Sequence, residues 1–179
     1  ILDYLASLVD IDMDRIGMFG QGSGATIALL AAAADQRIKA VDALDPWADW
    51  PVWLAKTGVG ADDPERADRL KPAFLEKVAP LDPVEWLPKL QTPYVRIQQN
   101  LEDGATPREC KDRIKAAAPR QAEFLRFDTT AAFMSTEGRG RLFEWIKDAL
   151  DKAIAPAGKS TAVANRDATE PSPKQSVQQ

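Results

Sequence analysis

The residues that could do chemistry in this chain begin with a glycine-rich turn at residues 20–24, GQGSG. Ser23 provides the only hydroxyl group of the turn. A serine hydroxyl attacks a carbonyl carbon only when a neighbouring base takes its proton, and histidine is the usual base. The sequence of 179 residues contains no histidine, so Ser23 lacks the usual base within this polypeptide.

The segments on either side of this turn predict that it joins a strand to a helix. A short apolar run at residues 15–19 precedes the glycines, and alanine-rich helix formers at residues 24–35 follow them. Further strand patterns lie at 38–44, 94–100 and 123–127, and further helix patterns at 1–9, from about 107, and at 138–155. This alternation predicts parallel βαβ units, and hence a three-layer αβα fold around a mainly parallel sheet of about four strands.

Two local patterns are specific enough to predict boundaries. Thr106, Pro107 and Glu109 have the spacing of a capping box, with Thr106 as the N-cap of the helix that begins there. The segment 128–134, DTTAAFM, follows the last strand and is expected to be a loop.

The interval between residues 46 and 93 is expected to form a lid over the strand ends. It holds eight of the thirteen prolines, so regular structure there must come in short pieces, and we expect two or three short helices. It also holds Trp47, Trp50, Trp53 and Trp86. These tryptophans either fill a poorly regular segment, which is the simpler interpretation, or form an aromatic pocket for an apolar ligand.

The glycine turn resembles the nucleophile elbow of α/β-hydrolases, Gly-x-Ser-x-Gly, in which a serine lies at the apex between a strand and a helix. With Gly20 and Gly24 as the outer glycines, the central position is Gly22, and Ser23 falls one place later. The resemblance covers residues 1–155 and implies strands five to eight of the family's usual eight. It also implies descent from an esterase, a dienelactone hydrolase or a serine peptidase.

The resemblance implies positions for the other two members of a catalytic triad. Asp103 lies where the family's acid usually lies, in a turn similar to Gly-x-x-Asp-x-x-x-Pro with Asn100 in place of the glycine. The histidine position matches Ala131, in the segment DTTAAFMS. Asp45 matches a second place where some members carry the acid, but the simpler interpretation, that it caps the turn before Pro46, is favoured because no base exists for it to orient.

These residues predict a hydrolase-like chain that does not hydrolyse esters or peptides through a serine triad. Glycine cannot attack a carbonyl and alanine cannot carry a proton, so only backbone amides at the start of the second helix remain to hold an anion. We expect instead a pseudoenzyme that binds a small apolar ligand or a protein partner. The expected ligand-binding residues are Gly20, Gln21, Gly22, Ser23, Trp47, Trp50 and Trp53.

Two other hypotheses stay open. The chain could be an active serine-type hydrolase, with Ser23 as an alternative nucleophile and the remaining groups in an absent amino-terminal half or a partner chain. It could instead be an interaction module that associates with itself or with another chain through the exposed edge of the strand at residues 15–19.

Composition excludes several classes of protein and site. The net charge is −4, with no basic stripe for nucleic acid, and no apolar run reaches the roughly 18 residues that a membrane span requires. The single cysteine, Cys110, excludes an internal disulfide, and we expect no metal and no cofactor.

Residues 156–179 are expected to be a disordered tail. Because the chain begins within a helix pattern, we expect it to be a piece whose targeting signal would lie upstream.

Overall fold

A four-stranded parallel sheet is the centre of the chain. The computed structural model describes residues 1–136 and 141–154. Within them, the strands lie in the order β1 (Ile16–Gln21), β2 (Ile38–Leu44), β3 (Tyr94–Asn100) and β4 (Glu123–Phe127), and all pairs of neighbours are parallel. The predicted α/β fold class is therefore confirmed.

Helices cover both faces of the sheet. They are α1 (Leu2–Ala6), α2 (Ser23–Ala34), α3 (Trp50–Lys56), α4 (Arg66–Arg69), α5 (Pro72–Val78), α6 (Pro83–Trp86), α7 (Arg108–Ala117), α8 (Thr130–Thr136) and α9 (Arg141–Ile154), with 3₁₀ turns at Met13–Arg15, Ala79–Leu81 and Leu87–Lys89. Helix α9 packs on one face, and α2 packs on the other together with residues of α6 and α7. None of the helices in the described part of the chain is long and apolar enough to cross a membrane.

The two faces of the sheet differ in chemistry. The face under α2 is apolar and includes Val41 and Ile97, which alternate along their strands with residues of the other face. The face under α9 carries a buried ion pair in which Arg96 Nη2 lies 2.7 Å from Asp42 Oδ2. The Arg96 guanidinium also lies 4.8 Å from the ring centre of Trp145 on α9. This polar pair joins β2 to β3 and anchors α9 over them.

Most predicted boundaries differ from the structure by only a few residues. Strands β2, β3 and β4 coincide with their predicted ranges, whereas β1 continues to Gln21 and α2 begins at Ser23. Helix α1 ends at Ala6, which is earlier than predicted. Helix α9 ends at Ile154. The predicted start of this helix at residue 138 and the predicted tail at 156–179 lie outside the described residues.

The predicted capping box at Thr106 is wrong. Pro107 is the N-cap of α7, and no side chain caps this helix. The Thr106 hydroxyl instead donates to the backbone carbonyl of Asp45, 3.3 Å away. The backbone N–H of Thr106 donates to the carboxylate of Asp103. Thr106 therefore contacts Asp45 at the end of β2 instead of capping α7.

The predicted loop at 128–134 is also wrong over most of its length, because α8 begins at Thr130. The hydroxyl oxygen of Thr129 accepts a hydrogen bond from the N–H of Ala132 at 3.0 Å, which caps the first turn. The ring of Phe133 is buried and lies edge-on to Phe127, with 5.5 Å between ring centres. Tertiary packing therefore stabilises a helix of seven residues, which is too short to be stable alone.

The lid between β2 and β3 contains four short α-helices, α3 to α6, where two or three were expected. Asp82 connects two of them. Its Oδ1 accepts from the N–H of Val84 at the start of α6, and its Oδ2 accepts from the N–H of Trp50 at the start of α3, each at 3.0 Å. The carboxylate of Asp82 thereby joins the start of α3 to the start of α6.

Candidate functional site

A cleft lies at the carboxyl ends of β1, β2 and β3, the edge at which parallel sheets usually bind ligands. Two adjoining hollows of about 550 and about 280 Å³ form it, and they share Gln21, Asp45 and Asp103. We call the two together the strand-end cleft. The larger hollow is also lined by Phe19, Leu44, Asn100, Glu102, Gly104, Thr130, Phe133 and Met134, and the smaller by Gly22, Ser23, Trp47 and Ala105.

Gly22 lies at the apex of the sharp turn between β1 and α2. Its φ is +55° and its ψ is −120°, a combination that favours glycine strongly. A Cβ on Gly20 would lie 2.3 Å from the backbone carbonyl of Gly24, so the strand and the helix can approach this closely only with glycine at position 20. Ser23 is the first residue of α2 and lies just past the apex.

The indole of Trp47 covers the apex. A Cβ built on Gly22 would lie 3.1 Å from Trp47 Nε1 and 3.3 Å from Trp47 Cε2, which is closer than nearly all real contacts of a Cβ. The Trp47 backbone is fixed because the Thr26 hydroxyl donates to its carbonyl at 2.6 Å. Its ring stacks on Trp53, with 4.4 Å between ring centres. Trp47 therefore takes up the space into which a side chain at position 22 would extend.

A buried lysine lies beneath the cleft. Lys111 of α7 is only 1% exposed, and its Nζ donates to the backbone carbonyls of Asn100 and Asp103. The same Nζ lies 3.6 Å from Asp45 Oδ1 and 3.7 Å from Asp103 Oδ2. The lysine thus lies between the two carboxylates that border both hollows. The sequence contained one indication of this burial: Lys111 lies three residues before Ile114, and therefore on the same face of the helix.

Asp45 is held at the end of β2 by its neighbours on β3. Its Oδ1 accepts from the N–H of Asn100 at 2.9 Å, so the carboxylate binds the adjacent strand. Burial raises the pKa of Asp45 to about 6. The opposing attraction of Lys111 is smaller than the desolvation that burial imposes. Asp45 is therefore a carboxyl group that changes its charge near neutral pH.

Asp103, the predicted acid, lines the cleft, but its carboxylate accepts hydrogen bonds from its own loop. Its two oxygens accept from the N–H groups of Ala105 at 3.3 Å and Thr106 at 3.2 Å. Ala131, the predicted histidine position, is exposed on α8 and lines neither hollow. Its neighbour Thr130 does line the larger one, and its hydroxyl oxygen accepts from the Asn100 side-chain amide at 2.8 Å.

Of the other predicted ligand-binding residues, Gly20 is buried and lines none of these hollows, and the rest divide between two regions. Gln21, Gly22, Ser23 and Trp47 line the strand-end cleft. Trp50 and Trp53 instead line a lid hollow of about 300 Å³, and Trp50 also lines another of about 510 Å³. These lid hollows share no lining residue with the strand-end cleft. Because only the strand-end cleft contains the turn apex and the paired carboxylates, it is the stronger candidate site.

The ionisable side chains that line the strand-end cleft in the described chain are the carboxylates Asp45, Glu102 and Asp103. The Ser23 hydroxyl borders the smaller hollow without a histidine. Over residues 1–136 and 141–154, no group of three or more His, Cys, Asp or Glu side chains is placed to hold a metal ion. In the acidic run at 62–68, Asp63 and Asp68 pair with Arg69 and Lys71. The described lining of the cleft therefore combines carboxylates, amides, hydroxyls and aromatic rings, and it contains no histidine beside Ser23.

The fold is shared with solved hydrolase structures. The chain superposes on acetyl xylan esterase from Thermoanaerobacterium with a TM-score of 0.65 at 16% identity, over 86% of this chain and 50% of the esterase. The match to 2,6-dihydroxy-pseudo-oxynicotine hydrolase has a TM-score of 0.63 at 20% identity, over 86% and 44%. The match to Pyrococcus horikoshii acylaminoacyl peptidase has a TM-score of 0.59 at 18% identity, over 82% and 24%.

Sequence comparisons add nothing to this likeness: no protein-family model matches the chain, and no curated protein sequence matches it. The chain spans between about a quarter and a half of the three solved proteins. The strand order, the glycine turn at the end of β1 and these structural matches agree with one another. The chain has the fold of part of an α/β-hydrolase.

Proposed function

We propose that this chain is a hydrolase-fold protein that binds a small apolar molecule in the strand-end cleft and does not hydrolyse esters or peptides through a serine triad. The observation that carries the proposal is the apex of the turn. Gly22 has no side chain, and the Trp47 indole lies where one would extend.

Two further features argue against triad chemistry. The chain has no histidine, and Asp103 accepts hydrogen bonds from its own loop while lying 3.7 Å from Lys111. Its carboxylate is thus used within the loop and the buried lysine cluster, with no base for it to orient. An acid in these surroundings contributes to the structure of the cleft.

The shape and the lining of the cleft support binding. The larger hollow lies within the ~300–1,000 Å³ range typical of small-molecule sites. Phe19, Phe133 and Met134 give it an apolar wall, and Asn100 and Thr130 add polar groups. Polar and apolar surfaces contribute about equally to this lining, so the hollow suits a ligand that has an apolar body and a polar group.

The catalytic half of the proposal can be tested with p-nitrophenyl acetate and butyrate. We expect the chain to release nitrophenol no faster than its Ser23→Ala variant, and a fluorophosphonate probe to leave Ser23 unlabelled. Ester turnover that disappears in the Ser23→Ala variant would instead establish an active serine hydrolase.

The binding half can be tested by calorimetry with 3-phenylpropan-1-ol, a neutral probe with an apolar body. Met134→Ala should weaken its binding several-fold, because this side chain forms part of the cleft wall. Ile27→Ala is the matched control, since Ile27 is 62% exposed and Met134 is 49% exposed, and Ile27 lines neither hollow. Absence of binding, or equal losses in both variants, would count against the cleft.

A further inference from the structure

We propose that the ligand of the strand-end cleft is a cation, namely an aliphatic ammonium group carried on an apolar body. This inference rests on the proposed function, because it specifies the chemistry of a ligand for the same cleft.

The charge of the cleft is negative. Three carboxylates line it, those of Asp45, Glu102 and Asp103, and none of its described lining residues is a lysine or an arginine. Lys111 lies beneath the lining, where it is 1% exposed, and offsets one of these charges. A low-dielectric concavity with surplus carboxylates attracts a cation and repels an anion.

Asp45 provides a free acceptor at the border between the two hollows. The side chain is only 5% exposed and lines both of them. Its Oδ1 accepts from the N–H of Asn100, but no described residue donates a hydrogen bond to its Oδ2. This oxygen is not one of the buried, unpaired polar atoms of the described residues, so it is open to the cleft. An ammonium N–H can donate to it there and supply the opposite charge.

The wall beside these carboxylates suits the rest of such a ligand. Phe19, Phe133 and Met134 line the larger hollow together with Asp45 and Asp103. Aromatic faces attract ammonium groups as well as burying hydrocarbon. The carboxylates beside this wall add the negative charge that strengthens the preference for a cation over a neutral molecule of the same shape.

The test compares three probes that share one carbon skeleton: 3-phenylpropylammonium, 3-phenylpropan-1-ol and 3-phenylpropanoate. By calorimetry near neutral pH, we expect the ammonium to bind about ten-fold more tightly than the alcohol, and the carboxylate to bind more weakly than either. Asp45→Asn should remove most of the ten-fold preference for the ammonium over the alcohol, measured as the ratio of the two affinities in the same variant. Asp68→Asn is the control, because this exposed lid carboxylate pairs with Lys71.

A pH series on the unmutated chain tests the same point if Asp45→Asn does not fold. The groups facing the Asp45 carboxyl are Lys111 of α7, Asp103 of the loop after β3 and the backbone N–H of Asn100. Burial raises the pKa of Asp45 to about 6, so its ionised fraction falls about ten-fold between roughly pH 7 and pH 5. Affinity for the ammonium should fall by about that factor, while affinity for the alcohol should stay constant.

The outcomes separate this inference from the proposed function. Equal affinities for ammonium and alcohol, or tighter binding of the carboxylate, would overturn the cation proposal and leave apolar binding intact. Binding of none of the three probes would overturn both. Ammonium binding that is insensitive to both Asp45→Asn and pH would overturn the assignment to this cleft.

Discussion

Gly22 is restricted to glycine by its backbone and by its surroundings. Its positive φ disfavours any side chain, and the Trp47 indole leaves only 3.1 Å for a Cβ. The turn thus requires glycine at this apex. Glycine also has no side chain that could act as a nucleophile. A serine introduced here would need Trp47 to move first.

We expect Gly22→Ala to lower the free energy of unfolding by about 1–3 kcal/mol, the typical cost of a side chain in such a conformation. Urea unfolding measures this change. Replacing Trp47 by alanine should recover the steric part, which a double-mutant cycle isolates. Gly24→Ala is the control. A Cβ there would meet no atom within 4 Å, so this helical substitution should stabilise the chain by roughly 0.5–1 kcal/mol. Equal effects at the two positions would contradict the geometry.

Asp45 should make stability depend on pH in an unusual direction. The pKa rises on folding from 3.8 to about 6, so the unfolded chain loses this proton first as the pH rises. Relative to Asp45→Asn, the unmutated chain should therefore lose up to about 3 kcal/mol of stability between roughly pH 4 and pH 7. Urea unfolding of both proteins across this interval is the measurement. A difference that stays constant, or grows with pH in favour of Asp45, would show that the pKa of this carboxyl is not raised.

Some residues of the candidate site can be predicted from the sequence, whereas others are recognised only in the structure. The resemblance to α/β-hydrolases indicates Gly22 through the spacing of Gly20 and Gly24, and it indicates Asp103 through its place after β3. Lys111 is different. Its contacts with Asp45 and Asp103 arise only when α7 packs beneath the ends of two strands, and no local pattern specifies that packing. Trp47 likewise needs the tertiary structure to bring it against Gly22.

At the scale of elements, Asp82 is the residue on which the lid most depends. Its carboxylate accepts from the N–H groups of Asp49 and Trp50 and from that of Val84. It thus serves the first turns of both α3 and α6.

We expect Asp82→Ala to cost about 1–3 kcal/mol of stability, because three N–H groups lose a partly buried acceptor. Urea unfolding gives the free energy, and limited proteolysis should show faster cleavage between residues 46 and 93. Asp68→Ala, which removes an exposed carboxylate paired with Lys71, should change neither measurement appreciably. A lid that stays resistant to protease in Asp82→Ala would show that other contacts hold it.

Local sequence patterns predicted the bounds of most strands correctly, but they predicted the short helices less well. Apolar runs of strand length between turn residues placed β2, β3 and β4 at their observed ends. The Asp82-Pro83 pair is a local signal for the start of α6, but its bond to Trp50 spans 32 residues. The predictions for Thr106 and for the segment of α8 are wrong for the same reason. The contact of Thr106 with Asp45, and that of Phe133 with Phe127, determine the structure there.

At the scale of the whole molecule, β1 pairs with β2 alone within the described chain. Its other edge has backbone groups available for pairing, and an open edge is a common route to association. The turn after α1 adds exposed apolar surface, since Val9 is 98% exposed.

We propose that this edge makes the chain associate with itself as its concentration rises. Sedimentation velocity over a wide concentration range should show a growing share of dimer or larger species. Tyr4→Lys with Val9→Lys should reduce that share by adding charge beside exposed apolar surface, whereas Ile27→Lys on α2 should not. A monomer at every concentration would contradict the proposal.

The order of the strands across the sheet is the same as their order along the chain, β1 to β4. Each strand that leaves the ribosome therefore finds its partner already synthesised, and no strand has to wait for a later one to be inserted beside it. The sheet can grow in one direction during translation, with each βα segment docking on the one before. At each stage the edge of the newest strand is the one that the next strand covers, while the outer edge of β1 stays unpaired within the described chain.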